Sequence, residues 1–220
     1  MSSPTLADKV SQIIYSDILN GELAPGQKLV VAELKEKYQV GASPIREALV
    51  QLSWQKCIEF KPQKGCWVAN TCFDELQDLL TSLQAIFPPL IKQSIAAKNH
   101  DWERKLLQAY HQLARLQNPN QAGIKVWLEG IDEFYQALLD GCETQTLYEF
   151  CTTIIKRLMR YRYLALRYNV EDSSSITDFD AILRFALNKQ SDDVIGKIKS
   201  IIEKDQQRMV RALTELNHQS

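Results

Sequence analysis

The stretch from Gln39 to Leu52, read as QVGASPIREALVQL, constrains the fold more than any other part of the chain. Val40-Gly41-Ala42 reads as a tight turn. Ser43 follows as a helix N-cap, Pro44 as the first helical residue and Glu47 in the opening turns. A seryl oxygen satisfies an orphan N–H, proline fits where no N–H is needed, and a carboxylate suits the positive end of the helix dipole. Ile45, Leu49 and Leu52 then share one face at helical spacing, and Arg46 projects elsewhere, close to the helix start. A helix of this build, preceded by a short helix and a tight turn, is the form that helix-turn-helix proteins lay in the major groove of DNA.

The flanking segments complete such a domain. Thr5 to Asn20 carries Leu6, Val10, Ile13 and Ile14 on one stripe, with Thr5 and Asp8 at capping-box spacing. Gly21 ends this helix, and residues 21–29 read as a loop turning at Pro25-Gly26. Val31 to Tyr38 is a second, short helix, and the third runs from Ser43 to about Lys56. Residues 58–61 then alternate apolar and polar, 62–65 form a turn and 66–69 form a second strand. Three helices and a hairpin predict a winged helix-turn-helix over residues 1–70, with Gln63, Lys64 and Gly65 at the wing tip.

Asn70-Thr71 breaks the pattern, and residues 71–220 show no convincing strand. Helical periodicity predicts an all-α bundle of about six helices, at 73–98, 101–117, 122–140, 144–168, 176–189 and 191–216. Pro88-Pro89 predicts a kink or break in the first of them. Glu171 to Ser175 reads as a turn. The expected fold is therefore mainly α, a winged head followed by a helical bundle.

The totals exclude some functions. The net charge of −1 singles out no partner. Between Lys35 and Lys64, however, six Lys/Arg face three Glu, a modest positive patch. Five Cys show no zinc spacing and fit reduced thiols in a cytoplasm. No signal core or membrane-length apolar run occurs. No phosphate loop, nucleophile elbow or metalloprotease motif occurs either, so the chain does not read as an enzyme.

Gly21-x-Leu23-x-Pro25-Gly26-x-Lys28-Leu29, Leu34, Val40, Ser43-Pro44-Ile45-Arg46-Glu47-Ala48-Leu49, Leu52 and Gly65-x-x-Val68 resemble the GntR family of bacterial transcription regulators. The second region resembles the FCD effector domain of the family's FadR branch, through Phe134 to Leu139, Arg160-Tyr-Arg162 and Ala181 to Leu183. The resemblance implies a homodimer on a palindromic operator, regulation by a small carboxylate and, most commonly, repression. It also exposes departures. The arginine usual before the recognition-helix start is Ala42, a second common in helix two is absent near Ala32, and the usual glycine before Val40 is Gln39. FCD domains commonly hold a divalent metal on one Asp and three His. Those positions map near Glu129 and to Tyr135, Phe179 and the vicinity of Glu203, while the only histidines are 100, 111 and 218. No metal or other cofactor is expected, since imidazole is the usual nitrogen ligand. Asp178, Asp180 and Glu203 offer an oxygen-only alternative, against which apolar Phe179 argues.

These readings nominate Ser43, Pro44, Arg46, Lys28, Lys35, Gln63, Lys64 and Gly65 for DNA. For an effector acid they nominate Tyr135, Arg157, Arg160, Arg162, Asp178 and Glu203. The ordinary alternatives stay open: Arg46 paired with Glu47 or Glu36, arginines of the bundle paired with acids of neighbouring helices, tyrosines that are plain core, and lysines that are merely solvated. A different class of function, an interaction or scaffold protein with a degenerate winged helix and no effector, also fits the missing arginine at 42 and the low charge.

Overall fold

The computed structural model describes residues 4–97, 99–168 and 175–218, without the side chains of 217 and 218. Residues 171–174 of the expected turn, and the His218 side chain, lie outside this set. Two compact units divide the chain, Met1–Thr71 and Cys72–Ser220.

The first unit contains α1 (Leu6–Leu19), β1 (Lys28–Leu29), α2 (Val31–Tyr38), α3 (Ala42–Trp54), β2 (Ile58–Lys61) and β3 (Gly65–Val68). Thr5 caps α1: its hydroxyl accepts from Asp8 N at 3.1 Å, and its own N–H donates to Asp8 Oδ2 at 2.7 Å. Asp here completes the box that Glu or Gln usually fills. Val10, Ile14 and Ile18 of α1 pack with Leu34, Ile45, Leu49 and Leu52 into one apolar core. Burial of each such side chain contributes about 1.5–3 kcal/mol. Tyr38 donates to Asp17 at 2.7 Å and Lys37 pairs with the same carboxylate at 2.7 Å, fixing α2 on α1.

Two local readings are corrected here. The recognition helix begins one residue early, at Ala42, with Gly41 as an N-cap that makes no side-chain bond. Ser43 is therefore not the cap; its hydroxyl donates to Glu47 Oε1 at 2.9 Å. Pro44 is the third helical residue rather than the first. It fits because none of the first N–H groups of a helix has an intrahelical acceptor. The loop expected over 21–29 also ends in a strand, giving an antiparallel sheet in the order β1-β3-β2. Lys28 lies opposite Trp67, and Lys61 opposite Gly65. Gly26 (φ +75°) permits this return, since a Cβ there would stand 2.7 Å from Asn70 Oδ1.

The second unit is helical throughout its described residues: α4 (Phe73–Ala96), α5 (His100–Leu116), α6 (Pro119–Ala122), α7 (Ile124–Leu139), α8 (Gln145–Arg167), α9 (Ile176–Leu187) and α10 (Ser191–His218). Six long helices thus stand beside one short turn of helix. α4 packs on α8, α5 on α7, and α10 against α4, α8 and α9. Trp102, Trp127, Phe134, Tyr161 and Phe179 fill the interior. Pro88 and Pro89 do not break α4, which runs through both. They remove the N–H partners of the Gln84 and Ala85 carbonyls. Both residues are exposed, so water can take those carbonyls, and the buried face from Leu76 to Ile95 continues across the prolines. Among the described residues no helix is long and apolar enough to cross a membrane.

Candidate DNA-binding and effector sites

In the winged unit the geometry starts at the turn between α2 and α3. Gln39 adopts the left-handed conformation (φ 54°, ψ 42°) that glycine would take without strain. Its side chain offsets part of that cost by donating to Glu36 O at 2.7 Å, which caps the end of α2. Arg46 is exposed on α3 and, among the described residues, has no ion pair; Glu47 is engaged by Ser43 instead. Lys35 on α2 is likewise exposed. At the wing, Lys64 N donates to Lys61 O at 3.0 Å, closing a turn with Gln63 at φ 60° and Gly65 at φ 105°. Gln63, Lys64 and Gly65 are all exposed. The Lys28 and Lys61 ammonium groups lie 5.9 and 5.1 Å from the centre of the Trp67 ring. Trp67 thus holds two cations beside the wing by cation–π attraction. The sequence reading did not nominate it, because the pairing that brings Lys28 to it depends on the unforeseen β1.

In the helical unit the nominated arginines separate into two groups. Arg157 and Arg160 share Glu75 of α4. The Arg157 terminal amine lies 2.7 Å from Glu75 Oε1, and the Arg160 amine 3.0 Å from the same oxygen. Tyr161 donates to Glu75 Oε2 and accepts from the backbone N–H of Cys72 at 3.2 Å. Burial, then its bond to the carboxylate, pushes the Tyr161 phenol up from its ordinary pKa. This network fastens the start of α4 to α8.

Arg162 faces a different place. With Leu83, Phe87, Tyr135, Ile155, Leu158, Ile198 and Ile202 it lines a chamber of about 270 Å³ whose free space scarcely admits a water molecule. Its guanidinium Nε donates to Asp205 Oδ2 at 3.1 Å. That is the one hydrogen bond the described residues give it, and none of them engages its terminal amino groups. The Tyr135 hydroxyl is buried without any hydrogen-bond partner among the described residues. The Tyr135 ring packs edge-on against Phe87 (5.7 Å), Phe134 (6.0 Å) and Phe179 (6.1 Å).

The other nominated acids stand elsewhere. Asp178 Oδ1 pairs with Lys197 at 2.5 Å, and Oδ2 accepts from Ser175 N to cap α9. Glu203 is exposed; the acid of α10 that reaches Arg162 is Asp205, two residues on. Asp180 is engaged by Tyr110 and Arg184. Asp132, also missed in the sequence, accepts from Gln136 at 2.7 Å, and its carboxyl is pushed up mainly by burial, with Arg162 among the charges opposing the shift.

Residues 6–68 match the model of the bacterial regulatory proteins of the gntR family, and residues 78–204 match the FCD domain. The chain belongs to the GntR family. It is 28% identical over 167 residues to the HTH-type transcriptional repressor GlaR of Escherichia coli, covering 75% of this chain and 76% of that protein. It is 26% identical over 169 residues to the HTH-type regulator BphR of Paraburkholderia xenovorans, covering 75% and 69%. Among solved structures, E. coli McbR/YncC superposes with a TM-score of 0.77 at 15% identity, over 96% of this chain and 99% of that one. A GntR regulator from Rhodococcus superposes with a TM-score of 0.74 at 12% identity, over 94% and 98%. The protein is therefore a DNA-binding transcriptional regulator with an effector-binding FCD domain, and not an enzyme.

As a GntR regulator it carries an unusual donor set in that domain. Tyr135 and Phe179, the positions that the FCD resemblance maps to imidazole ligands, are aromatic and buried, and the Phe179 ring packs against Phe134 at 5.3 Å. Among the described residues no group of three His, Cys, Asp or Glu is arranged to hold a metal ion. Arg162, a fixed cation, lines the same chamber as Tyr135. These residues do not fit the divalent metal that the FCD resemblance implies.

Proposed function

We propose that the protein is a cytoplasmic, ligand-responsive repressor that binds a palindromic operator as a homodimer and is modulated by a small organic acid without a metal. Two relatives, GlaR and RspR of E. coli, are named repressors, which supports that sign of regulation. Arg46, with Ser43 and Pro44 beside it at the helix start, reaches for the major groove. Lys28, Lys35, Gln63, Lys64 and Gly65 lie along the phosphate backbone. Few cations serve each head, so two heads on successive grooves are needed for useful affinity.

The observation that carries the effector half is that Tyr135 and Arg162 line one chamber, with a buried hydroxyl and guanidinium amino groups to which the described residues give no hydrogen-bond partner. A carboxylate satisfies both, through charge-assisted bonds. The Arg162 charge does there what a metal does in the family's common design. Arg157 and Arg160 serve the same switch differently. They hold Glu75 from α8, beside Tyr161, which holds both Glu75 and the Cys72 backbone, so a ligand that shifts α8 also moves the start of α4. The acid acts only to the extent that it binds one arrangement of the dimer more tightly than the other.

A gel shift with the DNA upstream of its own gene, using wild type and Arg46→Ala, tests the DNA half; equal binding by the variant contradicts it. A thermal-shift screen of short carboxylic acids, repeated with a chelator, tests the effector half. Stabilisation that survives the chelator is expected. Stabilisation abolished by it overturns the metal-free site, and a DNA affinity insensitive to salt favours a protein-binding scaffold instead.

A further inference from the structure

A second, larger pocket with about 320 Å³ of free space, open to solvent, lies between α4 and α10. Its walls are Phe87, Pro88 and Ile91 on one side and Ile195, Ile198 and Ile202 on the other. Phe87, Ile198 and Ile202 also line the Arg162 chamber, so the two spaces adjoin at these three buried side chains, which form the partition between them. At the mouth stand Gln84 and Lys199, both exposed and, among the described residues, without a hydrogen bond or ion pair. The chamber has polar groups but almost no room; the larger pocket has room but a mainly apolar wall. The partition also adjoins Pro88 and Pro89, which leave two carbonyls of the preceding turn without helical N–H partners.

We infer that the two spaces are one ligand site, and that its occupant is an elongated monocarboxylate with an apolar body. The carboxylate passes the Phe87 partition to reach Arg162 and the Tyr135 hydroxyl. The aliphatic or aryl tail then lies between α4 and α10 against Pro88, Ile91 and Ile195. Phe87 must turn aside for the head to enter, and the proline-weakened turn of α4 lets it do so. This inference rests on the carboxylate reading above and adds the tail, the entrance and the gate. The chemistry sets the expectation: burying each added methylene tightens binding about fourfold until the pocket is filled.

The test is binding of straight-chain acids from acetate to decanoate to the full-length protein by calorimetry, in wild type and four variants. Affinity is expected to climb with chain length and then level off. Ile195→Trp, which fills only the outer pocket, should abolish the climb while leaving the shortest acids unchanged. Tyr135→Phe, which removes a hydroxyl with no partner to lose, should weaken every acid several-fold; Arg162→Met should weaken them more, and Lys199→Met hardly at all. If short acids bind as tightly as long ones, the tail pocket is wrong and the effector reading survives. If neutral alcohols and amides bind with the same length dependence and ignore Arg162 and Tyr135, the pocket stands and the carboxylate reading falls. If Lys199→Met weakens binding while Tyr135→Phe does not, the head points outward and the inference is overturned. If no acid binds, both fall.

Discussion

In the winged unit Arg46, Lys35 and Lys64 stand in solvent with no ion pair among the described residues, whereas in the helical unit Arg157, Arg160 and Arg162 are each held by an acid. The difference follows from dielectric. An exposed cation loses little by waiting for a phosphate, while a buried one costs several kcal/mol unless an anion accompanies it. Arg160 is 4% exposed and shares Glu75; Arg46 is exposed and pairs with no acid among the described residues. On the proposed reading, the surface that meets phosphates is marked by cations that no described residue pairs, and the effector site by what pairing among the described residues leaves over, the Arg162 amino groups and the Tyr135 hydroxyl.

Four substitutions probe that contrast, in falling order of effect. Glu75→Gln should be the most damaging to folding, about 3–5 kcal/mol by denaturant titration, because it removes the acid that two guanidiniums share, one of them buried. A cost below about 1 kcal/mol means the network behaves like a surface pair. Arg46→Ala should weaken operator binding about 5- to 150-fold, the worth of one good base or phosphate contact, with the melting temperature unchanged. A drop in melting temperature instead gives Arg46 a structural role. Tyr135→Phe should raise stability by about 1 kcal/mol in the absence of ligand, since it deletes a buried hydroxyl that has no partner. A loss of stability shows the hydroxyl to be satisfied.

Asp132→Asn should have the smallest effect, and its sign depends on pH. Burial holds the Asp132 carboxyl above its ordinary value of 3.8, so the folded state takes up its proton more readily than the unfolded chain. Wild type is therefore penalised at neutral pH and recovers as pH falls through the raised value. The variant should be slightly more stable at neutral pH, with the gap closing below the ordinary value. A gap that is independent of pH removes burial as its cause.

Much of this contrast was legible in the residues, and the misses have physical causes. Helices such as α1, α5 and α10 announce themselves through an apolar stripe that needs no partner to be seen. The two-residue β1 does not, because its pairing with β3 is set by the return of the chain at Gly26. Ser43 looked like the better cap by propensity, yet the turn at Gln39 starts the helix one residue sooner and gives the place to Gly41. At Pro88-Pro89 an apolar face continuous on both sides outweighed two lost backbone bonds. In the bundle, the acid facing Arg162 is Asp205 rather than Glu203, a rotation of two residues on one helix that periodicity alone does not resolve. Glu75 lies 85 residues before Arg160, and a contact that distant leaves no local trace.

In the proposed switch, the chamber of the helical unit controls the DNA affinity of the winged one. Fluorescence anisotropy of the protein on its own upstream DNA, titrated with the tightest-binding acid from the chain-length series, tests it most directly. The claim predicts that saturating acid changes DNA affinity by roughly fivefold or more. Tyr135→Phe should move that change to higher acid concentration without altering affinity in its absence. A DNA affinity that stays constant while the acid demonstrably binds would contradict it.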